Sequence, residues 1–68
     1  MKISARNQLK GRIVEITKGA TTAHVRIDIG GAIVTSSITN AAVDDLCLTV
    51  GKDAYAVVKA SDVMIAID

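Results

Sequence analysis

The chain has 68 residues, enough for one small domain, which alone would bury only about 60% of the surface its unfolded form exposes. Half of the residues are hydrophobic, yet Phe, Trp and Pro are absent and Tyr55 is the sole aromatic, so Ala, Val, Ile and Leu must build the core. Eight basic against seven acidic residues, a single Cys and no long apolar run exclude disorder, an internal disulfide, a membrane-spanning helix and a strongly basic nucleic-acid surface.

The opening Met1–Asn7 has no apolar central region, so a secretory leader is not expected, and a cytoplasmic location with a reduced thiol is. From there the hydrophobic period is 2, which predicts strands. Leu9–Thr17 reads as the first, with Gly11 as a candidate bulge or bend, and Lys18-Gly19 as the turn after it. Ala23, Val25, Ile27 and Ile29 alternate with Thr22, His24, Arg26 and Asp28 in the second strand. Gly30-Gly31 supplies the positive φ angles of a tight hairpin into the third, Ile33–Ile38. Thr39 or Asn40 then caps a short helix with Ala42, Val43 and Leu46 on one stripe. After a turn at Gly51–Asp53, Ala54–Lys59 and Asp62–Ile67 read as two more strands. The order predicts a single all-β domain over residues 1–68. It would be an OB-like five-stranded β-barrel with one short helix between strands 3 and 4. In the last two strands both faces are apolar, which predicts that other subunits cover the outside.

Catalysis finds little support. His24 lies opposite Val25 on its strand and is expected at the surface, with no second ligand or orienting group in the sequence. Cys47, between Leu46 and Leu48, is expected to be a small buried hydrophobe. Asp44 and Asp45 adjoin on a helix and point in different directions. Gly30-Gly31 lacks the further glycines and the Lys of a phosphate loop. No enzyme is expected.

Two pairs with a spacing of two carry more information. Ser4 and Arg6, and again Lys59 and Ser61, each place a fixed positive charge and a hydroxyl on one side of an extended chain. Thr35, Ser37 and Thr39 form a third polar row that ends at the helix start, where the N–H groups of Asn40, Ala41 and Ala42 are expected to point outward. All of these groups donate hydrogen bonds, which suits a tetrahedral oxyanion bound without a metal ion. Pattern alone leaves open that Arg6, Lys59 and the hydroxyls only solvate strand ends.

At these same residues the chain resembles a known family. Ser4–Ile13 (SARNQLKGRI) is similar to the opening motif of molbindins, the small molybdenum-pterin-binding (Mop) proteins. Ser37-Ile38-Thr39 running into the helix, and Gly51-Lys52 followed by Ala56–Val63 (AVVKASDV), match in the family's order and spacing over essentially the whole chain. The resemblance implies an OB-like barrel, assembled as a hexamer (a trimer of dimers), that holds molybdate or tungstate between subunits for intracellular storage or buffering. Carried over, Ser4, Arg6, Lys59 and Ser61 would contact the oxyanion, with no protein atom bound directly to the metal. Thr39 and the backbone near Ala42 would come from a neighbouring subunit. It also implies a second class of site near the threefold axis, whose residues this sequence does not identify. The module recurs in molybdate-responsive regulators and importer ATPases, whose DNA-binding and nucleotide-binding roles are not expected of these 68 residues. Two other readings are an OB-type interaction module for nucleic acid or protein, and a molybdopterin carrier. A single Tyr serves either poorly, as a stacking platform or as a flat contact for a pterin.

Overall fold

A computed structural model describes all the residues, Met1–Asp68. Four strands form one antiparallel sheet: β1 (Asn7–Lys18), β2 (Thr22–Asp28), β3 (Ile33–Thr39) and β4 (Asp53–Val58), in the order β3-β2-β1-β4. The helix α1 (Asn40–Asp45) lies between β3 and β4. The architecture is the expected OB-like, mostly-β one, with a difference at the C-terminus described below.

β2 shows the clearest link from pattern to packing. Ala23, Val25 and Ile27 are buried while Thr22, His24, Arg26 and Asp28 are exposed, as strict alternation requires. With Ile13, Val43 and Ala56 they form the core. The hairpin to β3 closes around Gly30 (φ 92°) and Gly31 (φ 101°), and the Ile29 N–H donates to the Ala32 carbonyl at 3.0 Å. Two successive positive φ angles are what a primed hairpin turn needs.

β1 is the spine. Its first half pairs with β4, from Asn7↔Val58 to Arg12↔Asp53, and its second half with β2, from Arg12↔Asp28 to Lys18↔Ala23. A strand that changes partner midway must bend. The bulge falls at Val14, where the register slips between Ile13 and Glu15, and not at Gly11 as the sequence predicts. Gly11 has another reason to be glycine. A Cβ there would collide with the Asp28 carbonyl oxygen and lie 2.7 Å from Ile27 Cγ2. The strand crossing is too close for any side chain.

α1 is short but closed at both ends. Thr39 is its N-cap, accepting from the Ala42 N–H at 3.0 Å. At the other end the Cys47 N–H donates to the Asp44 carbonyl and the Leu48 N–H to the Val43 carbonyl, each at 3.0 Å. Those two bonds define a Schellman motif, which places Cys47 in the left-handed region at φ 52°. The motif overturns two expectations. Cys47 is exposed, because the left-handed residue turns outward as the chain leaves the helix. Leu46 is also exposed, since the helix stops before its stripe reaches that residue, leaving Val43 as the buried one.

The fifth strand does not form within the chain. Ala60–Asp62 makes one 3-10 turn, and Val63–Asp68 continues with no ladder partner and every side chain exposed. A strand requires a partner edge, and none is offered to this segment. β3 pairs only with β2 and β4 only with β1, so each keeps one edge unpaired. The sheet curls until those two edges line a common cleft, with Val34, Thr35 and Ser36 on one side and Tyr55–Val58 on the other. Only six of the 68 residues are buried. The accessible surface is 5216 Å², whereas a compact 7.1 kDa monomer exposes about 4,100 Å². No helix is long and apolar enough to cross a membrane.

Candidate functional site

The β1–β4 register decides where the two spaced pairs go. Because Asn7, the first residue of β1, pairs with Val58, the last of β4, both chains leave the sheet at the same end. Arg6 and Lys59 flank that last pair, and both line one depression although 53 residues apart in the sequence. Ser4 lies two residues before Arg6, whereas Ser61 stands in the 3-10 turn Ala60–Asp62 and not on the extended chain that its spacing from Lys59 predicts. All four line a single open depression of about 680 Å³, floored by Ile3, Ala5, Val57 and Ala60. Two of the three donor groups, Ser4 with Arg6 and Lys59 with Ser61, thus share one depression within one chain.

The electrostatics of this depression favour an anion. The three ion pairs of the molecule, Arg12–Asp53, Lys18–Asp44 and Arg26–Glu15, all lie elsewhere. Neither Arg6 nor Lys59 has a carboxylate within ion-pair distance. One acidic residue, Asp62, does line the depression, and sequence reasoning did not single it out. It follows Ser61 directly in the 3-10 turn, so its position is a consequence of that turn. No cluster of His, Cys, Asp and Glu is gathered to hold a metal ion.

The four donors are all exposed. Each one is solvated when the depression is empty, so a small anion there competes with water at every donor. An enclosed site needs a further wall.

Thr39 and Ala42 do not line the depression. Thr39 pairs with Thr22, next to the Lys18 end of β1, whereas Arg6 precedes the Asn7 end. A straight 12-residue strand is about 36 Å long, and the longest extent of the molecule is 35 Å. One chain therefore cannot bring these groups to one anion. The helix start also holds fewer free donors than expected. The Asn40 N–H donates to the Thr21 carbonyl at 2.9 Å and the Ala42 N–H to Thr39 Oγ1. The Thr39 hydroxyl accepts that bond and keeps its own proton to donate. Asn40 Nδ2 donates to the Gly19 carbonyl at 3.0 Å, so this residue clamps the β1–β2 turn to the helix. Thr35, Ser37 and Thr39 do form the exposed face of β3, as their spacing predicts. His24 is exposed as well.

Residues 3–65 match the model of the TOBE domain. Across its full length the chain is 54% identical to the whole of a probable molybdenum-pterin-binding protein of Haemophilus influenzae. A molybdate-binding protein from Sporomusa ovata has the same fold, at a TM-score of 0.93 and 37% identity, over 98% of this chain and all of that one. The cytoplasmic molybdate-binding protein ModG, solved with molybdate bound, matches at a TM-score of 0.88 and 42% identity, over 94% of this chain and 46% of that one.

Proposed function

The chain belongs to the TOBE-domain family, and from that membership we propose that it binds molybdate by equilibrium hydrogen bonding, for storage or buffering of the anion. The observation that carries this reading is the juxtaposition of Arg6 and Lys59, without a carboxylate partner, beside Ser4 and Ser61. Arg6 and Lys59 supply charge to a dianion, and the two hydroxyls donate to its remaining oxygens. No bond is made or broken, so the residues have no need of a general acid, base or nucleophile. Tungstate carries the same charge on the same tetrahedral frame and binds the same donors.

The open depression and the distant helix start together favour a site built from two copies. The Asn7 end of β1 in one copy meets the helix start of another, whose Thr39 hydroxyl and backbone near Ala42 complete the donor shell. The Mop-like assembly that fits is the hexamer, a trimer of dimers. The cytoplasm is the compartment proposed for it, in keeping with the relative described as cytoplasmic.

Each charge-assisted hydrogen bond contributes about 1.5–3 kcal/mol, so Arg6→Ala weakens molybdate binding by roughly ten- to a hundredfold with the fold intact. Titration calorimetry of both proteins with molybdate, tungstate and sulfate tests this. Equal affinity of the wild type and Arg6→Ala for molybdate removes Arg6 from the site. No heat with either molybdate or tungstate, at concentrations where the protein is assembled, overturns the functional reading.

A further inference from the structure

The depression that holds Arg6 and Lys59 contains one group of the wrong sign for an anion. Asp62 lines it together with the four donors. The Asp62 N–H donates to the Lys59 carbonyl at 2.9 Å and the Val63 N–H to the Ala60 carbonyl at 3.3 Å, so one 3-10 turn carries Lys59, Ser61 and Asp62 as a unit. The carboxylate has no cation of its own, being absent from all three ion pairs of the molecule. Nor does it accept a hydrogen bond from any side chain or backbone N–H. It therefore neither orients the donors nor is neutralised by one of them. What it brings to the depression is its charge.

We propose that Asp62 is a specificity-determining residue of the oxyanion site, an opposing charge that holds down the affinity for a dianion and keeps the anion exchangeable. The charge balance is the first argument. Arg6 and Lys59 bring two positive charges and Asp62 one negative charge, so the depression carries a net charge of one against the two of molybdate. The second argument is distance. A sphere of 680 Å³ is about 11 Å across, close to one Debye length at about 0.1 M salt, so the carboxylate acts on an anion held anywhere in the depression. The third is the dependence on ligand charge. Repulsion weighs twice as heavily on a dianion as on a monoanion of the same shape. Asp62 therefore also narrows the preference for molybdate over a tetrahedral monoanion such as perrhenate. A depression with the same four donors and no carboxylate would hold molybdate more tightly and release it less readily, which serves a buffer badly.

This inference deepens the oxyanion reading and rests on it. The test is titration calorimetry of the full chain and of Asp62→Asn, with molybdate directly and with perrhenate by displacement of molybdate, at low and high ionic strength. At low ionic strength Asp62→Asn is expected to bind molybdate about threefold or more tightly, and to gain for perrhenate only about the square root of that factor. In about 0.5 M salt, where the Debye length is less than half its value at 0.1 M, the molybdate gain is expected to fall below about 1.5-fold. A merely structural role moves neither the ratio of the two gains nor its dependence on salt. Asp62→Glu, which keeps the charge, is expected to bind as the wild type does. Asp62 is exposed and is held only through its backbone, so the amide leaves the fold intact. Circular dichroism checks this, and Asp62→Ala removes the same charge with a second side chain. Molybdate binding that is unchanged or weaker in both neutral variants, equal gains for the two anions, or a gain that survives high salt overturns the proposal. Absence of molybdate and tungstate binding by the wild type removes the functional reading itself, whereas wild-type binding with no gain in the variants removes this inference alone.

Discussion

At Gly11 the backbone of β1 passes so close to β2 that a single methyl group would strike the Asp28 carbonyl. Gly11→Ala therefore destabilises by overpacking, about 1–3 kcal/mol, and lowers the melting temperature by several degrees in thermal circular dichroism. Cys47 has the opposite problem, being a side chain in a conformation that suits none. The left-handed region costs an L-residue about 1–2 kcal/mol. Cys47→Gly relieves that strain, less the extra freedom glycine has when unfolded, and is expected to leave the melting temperature unchanged or higher. Cys47→Val is expected to lower it. The thiol is exposed, so it reacts with a thiol reagent in the folded protein without prior unfolding. Arg6 and Lys59 were legible in the sequence as residues of the right chemistry. Their meeting was not, because it depends on the pairing of Asn7 with Val58 across 51 residues.

At the scale of the elements, α1 depends on its caps, since six residues are too few for a helix to persist by propensity. Thr39→Val keeps the branched shape and removes the acceptor for the Ala42 N–H. It is expected to cost about 1 kcal/mol, whereas Thr39→Ser keeps the bond and costs less. Thermal unfolding of the two variants at one protein concentration makes the comparison. Strands with one buried face were readable because alternation encodes that face directly, as in Ala23, Val25 and Ile27. The bulge was misplaced because a bulge belongs to a register between two strands, and Val14 carries no mark of it. The segment Asp62–Ile67 has a strand's composition yet forms no strand here. Composition records that a segment is apolar enough to be buried and paired, but not whether an edge is there to receive it.

The whole molecule buries little of itself, and its stability is expected to follow mass action. Diluting the protein lowers its melting temperature, and an oxyanion raises it. At about a hundredfold above the dissociation constant, a ligand specific to the folded form adds about 2.7 kcal/mol per site. Differential scanning fluorimetry over a dilution series, with molybdate and with sulfate, measures both effects. A melting temperature independent of protein concentration contradicts self-association. The near-zero net charge fits this picture, because a few donors repeated by symmetry need no basic surface. The surface ion pairs contribute little, since all six side chains involved are largely solvated.

Tyr55 sits in the wall of a trough that it shares with Ile13, Val25 and Ile27, and in the wall of the edge cleft, half exposed, and takes no part in lining the depression that holds Arg6 and Lys59. With no Trp or Phe in the chain, it is also the only source of near-ultraviolet absorption and emission from an aromatic ring. The protein thus carries one chromophore, placed where chains would meet and away from where the anion would dock. Its emission reports subunit contact without a label, and an oxyanion that alters that signal must be acting through the assembly.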